Sequence, residues 1–261
     1  MKITVITLFE EMYPGFLSAS IIHRAIEKGL VEIEIVNLRD FALDTYKHVD
    51  DKPFGGGAGM VLKCQPVVDA LKKYKKDDSY VLLTSPRGTQ FTQSKAHEFA
   101  MKDHLIILCG HYEGMDERIS EYADEEISIG DYVLTGGELA SMAIMDATIR
   151  LLDGAISEES LDDESYENDL LEYPQYTQPA SYEDKEVPPI LLSGNHAKIK
   201  EWRMLKSLLL TKEKRPDLYE KHVFSEVEKK LLKKYEEDPS YLEYLERGDF
   251  KWALIKPLTN G

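Results

Sequence analysis

Apolar positions along the first 153 residues follow two alternating periods. Ile3–Phe9 and Leu105–Cys109 are nearly continuous apolar runs, and Tyr80–Thr84 and Glu125–Ile129 are shorter ones. Runs of this length read as strands covered on both faces. Val31–Leu38 puts Glu32 and Glu34 on one face, which predicts a further strand. Ala19–Lys28, Gln65–Tyr74, Thr92–Met101 and Gly137–Leu152 have helical length, and Gly29 closes the first of them. Aspartate and glycine dominate residues 40–59, which predicts a loop. Strands alternating with helices predict an α/β fold with a mostly parallel sheet.

Beyond residue 156 the pattern changes. Ser157–Glu186 has weak periodicity and carries Pro174 and Pro179, so an interdomain linker, partly extended, is expected there. Asn195–Leu210 then spaces Ile199, Trp202, Leu205 and Leu208–Leu210 like one helix face. Ser225–Lys234 opens with the Ser-x-x-Glu capping pattern of Ser225 and Glu228. The expected organisation is an α/β domain at 1–156, a linker at 157–187 and a small all-helical C-terminal domain at 188–261. Tyr241, Tyr244, Trp252 and Ile255, in the stretch after Pro239, suggest packing on the body of the protein.

Composition bounds this picture. The 261 residues are 43% hydrophobic and 31% charged, enough apolar content for a sizeable core. A net charge of −16 argues against a general nucleic-acid coat or a membrane-surface protein. Its distribution says more. Residues 157–187 hold eleven acids and one base, whereas 196–216 hold seven bases and two acids. The only basic block therefore follows directly on the most acidic one, and it is a candidate surface for an anion. Two cysteines, Cys64 and Cys109, suggest neither a disulfide framework nor a zinc site. No apolar run approaches the roughly 18 residues of a membrane span. The N-terminal apolar run is too short for a signal peptide, so a reducing, cytoplasmic setting is expected.

Candidate chemistry gathers at strand ends. Ser85-Pro86-Arg87-Gly88, Gly110-His111-Tyr112-Glu113-Gly114 and Ser128–Gly137 each follow a predicted strand. Open α/β sheets bind ligands at the carboxyl ends of their strands. Any one of these segments reads as an ordinary turn; three in equivalent positions point to one pocket for a ligand with an adenine or amino-acid portion. Asp50–Met60 is a further glycine-rich loop that matches neither the Rossmann fingerprint nor the P-loop. His111 alone reads as a surface or packing residue, Cys109 as buried and inert, and Arg150 as a cation suited to a helix C-terminus. The acids Asp162, Asp163, Glu164, Glu167 and Asp169 read as a solvated linker. The run Lys198, Lys200, Arg203, Lys206, Lys212, Lys214 and Arg215 reads equally as a solvated helix face or a nucleic-acid contact.

Taken in order, these segments resemble the bacterial tRNA (guanine-N1)-methyltransferases of the TrmD type, within the knotted SPOUT class. Gly-x-Tyr-Glu-Gly-x-Asp-Glu-Arg, Ser-Ile-Gly-Asp-Tyr-Val-Leu-Thr-Gly-Gly-Glu-Leu and Leu-Leu-Ser-Gly-Asn-His carry the likeness, which extends over roughly residues 1–235. The resemblance implies a deep trefoil knot in the first domain and a homodimer whose active sites draw on both chains. It also implies S-adenosylmethionine bound by Leu83, Thr84, Ser85, Pro86, Arg87 and Gly88, by Gly110, Tyr112 and Glu113, and by Ile129, Gly130, Asp131, Tyr132, Val133, Leu134, Gly136 and Gly137. Transfer RNA would meet the helical domain through Lys198, Arg203, Lys206 and Arg215. Magnesium is a further implied requirement, although no metal-ligand spacing is readable.

The implied chemistry needs a base and a cation. N1 of guanine is protonated at neutral pH, and a positioned carboxylate would remove that proton. Arg150 corresponds to the cation that stabilises charge spreading to O6. The base aligns with Glu164, where the family commonly has aspartate, and Asp163 is the alternative. Ala140 and Gln178 also depart from the common residues. A non-catalytic RNA-binding protein and a knotted methyltransferase with another target are the competing readings of the residues.

Overall fold

The computed structural model describes residues 1–156, 164–166 and 168–248, so Asp163, Trp252 and Ile255 lie outside the described residues. The chain divides into two compact units, Met1–Ser160 and Leu161–Gly261. The first contains strands β1 (Lys2–Thr7), β2 (Glu32–Asn37), β3 (Asp50–Asp51), β4 (Val61–Leu62), β5 (Ser79–Gln90), β6 (His104–Leu108) and β7 (Glu125–Ser128). Its helices are α1 (Pro14–Leu17), α2 (Ser20–Glu27), α3 (Cys64–Tyr74), α4 (Gln93–Ala100) and α5 (Glu138–Ile149).

Five of the strands form a sheet in the order β2-β1-β6-β5-β7, with every neighbouring pair parallel. Alternation along each strand sorts the core into two layers. Ile3, Val5, Leu82, Leu105 and Ile107 face Ile22, Phe99, Ile144 and Ile149 from α2, α4 and α5. Ile6, Val81, Leu83, Ile106 and Leu108 face Val67, Ala70 and Leu71 of α3. A strand buried on both faces has no polar side to show, which is why β6 is apolar throughout.

Within the sheet most predicted strands appear within two residues of their expected ends. The helix expected to reach Leu152 stops at Ile149, while those expected to end at Leu210 and Lys234 run on to Lys214 and Glu237. Among the strands the exception is the segment Ser85–Gly88, expected as a loop after a strand ending at Thr84. Here β5 continues to Gln90, re-pairing with β7 at Thr89 and Gln90 after a register shift. The reason is local. A Cβ on Gly88 would sit 2.4 Å from the amide nitrogen of Ile127, so only glycine lets the two backbones approach. Pro86, with no amide to donate, falls in the shifted segment. The segment is thus an irregularity inside a strand.

The second unit holds a short hairpin, β8 (Ser181–Tyr182) and β9 (Lys185–Glu186), within the stretch expected to be extended. Glu183 and Asp184 both adopt positive φ at its turn, the backbone twist that two-residue hairpins need. Helices α6 (Pro189–Leu192), α7 (His196–Lys214), α8 (Pro216–Lys221), α9 (Glu226–Glu237) and α10 (Ser240–Arg247) follow. Trp202, Leu205, Leu208 and Thr211 form the buried stripe of α7. Trp202 and Leu205 share a core with Ile190, Leu231, Tyr241 and Leu245. Ser225 and Glu228 make both halves of the expected capping box. Residues 170 and 171 dock on α7: Leu170 is buried, Ser207 donates to the carbonyl of Leu171, and the amide of Leu171 donates to Thr211.

His104, at the start of β6, is buried between Thr4 Oγ1 at 3.0 Å and Ser79 Oγ at 2.7 Å. Burial, with nearby Lys2 adding to it, holds the imidazole below its ordinary value of 6.5. A depressed histidine stabilises the fold at pH above its unfolded value, and that contribution is lost as pH falls through the folded value. Unfolding curves between pH 5 and 8 should therefore show stability falling on acidification, with a smaller fall for His104→Gln. Identical pH profiles for the two proteins would remove His104 as the cause.

Candidate active site

The carboxyl end of the sheet carries three segments, and one threonine joins them. Thr84 Oγ1 donates to the carbonyl of Leu108 at 3.0 Å and accepts from the amide of Gly110 at 3.1 Å. The carbonyl of Gly110 in turn accepts the amide of Gly137 at 2.8 Å. The approach is close enough to exclude side chains. A Cβ on Gly137 would lie 2.1 Å from Thr84 Oγ1, and one on Gly136 would lie 2.2 Å from His111 Nε2.

These segments enclose a cavity of about 510 Å³, within the roughly 300–1,000 Å³ typical of small-molecule sites. Leu83, Thr84, Ser85, Pro86 and Arg87 line it from β5, and Gly110, Tyr112 and Glu113 from the loop after β6. Ile129, Gly130, Tyr132, Val133, Leu134, Gly136 and Gly137 line it from the segment after β7, with Ala140 behind them. Two of the expected residues are not brought to the lining. Gly88 is spent on the contact with β7, and Asp131 is exposed beside it.

Each wall has its own brace. Arg87 pairs with Glu126 at 2.9 Å and Glu117 at 2.8 Å, and their bonds push the guanidinium upward while holding Glu126 below its ordinary value. Arg87 is half exposed to solvent, so the pairs fix direction more than they add stability. Glu113 packs on Gly59 of the glycine-rich loop, where a Cβ would meet its Cγ at 2.4 Å, and its amide donates to Met60. The Asp50–Met60 loop therefore supports the cavity from outside. Behind the cavity, Tyr13 bonds Ser141 Oγ at 2.8 Å and contacts Cys109 Sγ at 3.4 Å. Burial pushes the Cys109 thiol up to about 12.

Arg150 is the half-buried C-cap of α5. Glu164 lies in the second unit, where it lines a separate cavity of about 880 Å³ with Tyr173, Arg203, Met204 and His222. The guanidinium of Arg203 sits 4.6 Å over the Tyr173 ring, and its Nε is buried with no hydrogen-bond partner among the described residues. The other three expected RNA-binding cations carry ion pairs: Lys198 with Glu201 at 2.5 Å, Lys206 with Glu246 at 2.6 Å and Arg215 with Asp217 at 2.7 Å.

A family model described as tRNA (Guanine-1)-methyltransferase TrmD matches residues 1–221. The chain belongs to this family. A tRNA (guanine-N(1)-)-methyltransferase of Clostridium botulinum, strain Langeland, is 54% identical over 237 residues, covering 90% of this chain and 98% of that protein. One from Clostridium perfringens, strain SM101, is 52% identical over 235 residues, covering 89% and 99%. The three segments around Thr84 all fall inside the matched region.

Two residues here were given no role at the site by the sequence reading. Glu138 is 2% exposed and sits at the first position of α5. His111, expected at the surface or in packing, lines the cavity with its Nε2 3.3 Å from Glu138 Oε2. The only available signal was the Gly-Gly-Glu run opening a helix, where an acid suits the dipole in any case. Among the described residues no group of three or more histidines, cysteines, aspartates or glutamates could hold a metal ion, and no helix is long and apolar enough to cross a membrane.

The thiol environments are checkable directly. Cys109 is buried and held protonated, whereas Cys64 is partly exposed. At pH 8 a colorimetric thiol reagent should label Cys64 in the native chain and leave Cys109 silent, with both reacting in urea. Fast labelling of two thiols in the native state would contradict the burial described.

Proposed function

We propose that the chain transfers a methyl group from S-adenosylmethionine to N1 of the guanosine immediately 3′ of the anticodon in tRNA. Family membership makes it a tRNA (guanine-N1)-methyltransferase. The observation that carries the fuller reading is the single cavity built from three glycine-bearing segments. Its lining of backbone edges, too tight for side chains at Gly136 and Gly137, suits a ligand held by main-chain contacts. The residues fit a nucleoside with an amino-acid arm. When bound, S-adenosylmethionine supplies an electron-poor methyl group on a sulfonium.

The chain's own residues then do two things. Glu164 accepts the N1 proton of guanine, leaving a lone pair for the methyl. Arg150 faces the negative charge that moves to O6 as the proton leaves. What supports Glu164 is its place on a cavity wall beside Arg203 and Tyr173, a cation and an aromatic face suited to a base. Asp163, outside the described residues, is the alternative base.

The reading includes the family's deep trefoil knot, a cytoplasmic setting and a homodimer in which one chain's cavity meets the partner's linker. Lys198, Arg203, Lys206 and Arg215 are assigned to RNA phosphates. For three of them this means exchanging a carboxylate for a phosphate, with release of counterions and a strong salt dependence. Magnesium is taken over from the family as a requirement of the bound state, with waters and RNA phosphates as natural partners, and no step is routed through it.

Mass spectrometry of tRNA incubated with the chain and isotopically labelled cofactor tests the reaction. Label at any atom other than N1 of that guanosine overturns it. Glu164→Gln should lower the methyl-transfer rate by about 10²-fold or more, and an unchanged rate would move the base to another carboxylate. Gly137→Ala, whose new methyl group collides with Thr84 Oγ1, should abolish cofactor binding in calorimetry. Native-like affinity in that variant would remove the cavity from the cofactor site.

A further inference from the structure

Glu138 occupies an expensive position. Its carboxylate is almost wholly removed from water, and a buried charge is stable only when well bonded. Thr7, at the end of β1, donates its hydroxyl to Oε1 at 2.7 Å, and the same hydroxyl oxygen accepts the amide of Phe9 at 3.0 Å. On the other side Oε2 meets His111 Nε2 at 3.3 Å. The His111 ring packs on the Phe9 ring with centroids 4.8 Å apart. These contacts close a circuit from β1 through α5 to the loop after β6 and back to β1. His111 and Gly136 also form an isolated antiparallel bridge, so the circuit spans two walls of the cavity.

A buried charged contact adds little to stability when compared with an apolar replacement of the same shape. What it adds here is geometry. We propose that Glu138 is a positioning residue for methyl transfer: by holding Thr7 and His111 together it sets the separation between the loop after β6 and the segment before α5. Glu138 is not itself part of the cavity lining, and His111 is. Its influence on the cofactor therefore passes through His111. This inference rests on the reading of the cavity as the cofactor site.

Glutamine in place of Glu138 has the same shape but replaces one carboxylate oxygen with an amide, so Thr7 Oγ1 and His111 Nε2 can no longer both face a carboxylate oxygen. The test compares Glu138→Gln, His111→Gln and the double variant, with tRNA saturating and S-adenosylmethionine varied. Each single variant should raise the KM for S-adenosylmethionine about tenfold while kcat and the KM for tRNA stay within about threefold. The double variant should be no worse than either single one, because both changes break one circuit. A merely structural role would lower the melting temperature without that split. Should Glu138→Gln fail to fold, His111→Gln, altered at the cavity wall, carries the same test.

Additive effects in the double variant, or folded single variants with an unchanged KM for S-adenosylmethionine, would overturn the proposal. Calorimetry of the native chain with S-adenosylhomocysteine separates the two levels of inference. Binding to the native chain with unchanged affinity in the variants removes only the positioning role. No binding to the native chain removes the cofactor reading and this inference with it.

Discussion

Thr84 Oγ1 gives its proton to the carbonyl of Leu108 and receives that of the Gly110 amide, while the Gly110 carbonyl takes the amide of Gly137. Three segments far apart in the chain are held in one arrangement by these bonds. Backbone groups buried at the carboxyl end of the sheet must find partners, and here they find one another across a side-chain hydroxyl. The glycines follow from the same constraint. At Gly137 the space for a side chain is already taken by Thr84 and by the backbone of Cys109. The register shift in β5, made feasible by Gly88, begins one step beyond Thr84.

Around that junction the unit is built in shells. The sheet supplies the floor, with alternate residues committed to the two helical layers. Outside it, Arg87 with Glu117 and Glu126, Glu113 on Gly59, and Glu138 between Thr7 and His111 each hold one wall. None of these contacts needs to be strong. Their common property is direction, since each ties a cavity wall to an element already fixed by the core.

Charge in the second unit follows a related rule. The basic block read from the sequence as a surface for RNA is largely matched within the folded chain: Lys198, Lys206 and Arg215 all sit beside carboxylates. The exposed Arg215–Asp217 pair is worth little and a polyanion can displace its acid at small cost, whereas Lys198–Glu201 and Lys206–Glu246 are partly buried and hold more firmly. Arg203 differs, because its Nε is buried without a partner and its guanidinium lies on Tyr173. Among the described residues it is the cation of the block whose unmet nitrogen is buried.

Periodicity alone was enough for the strands, the main helices and the capping box at Ser225, because these depend on which face of a local element is apolar. Glycine-bearing strand ends were visible for the same reason, and so was a shared pocket. The bulge at Ser85–Gly88, the hairpin turn at Glu183 and Asp184, and the burial of Glu138 were not. The turn is local but carries none of the usual glycine or asparagine signals. The other two depend on what a distant backbone or side chain brings within a few ångströms: Ile127 against Gly88, Thr7 and His111 against Glu138. Local pattern determined the elements and their order. Tertiary structure decided which glycines had no room for a side chain and which acid was sealed from water, because both are properties of the space between elements.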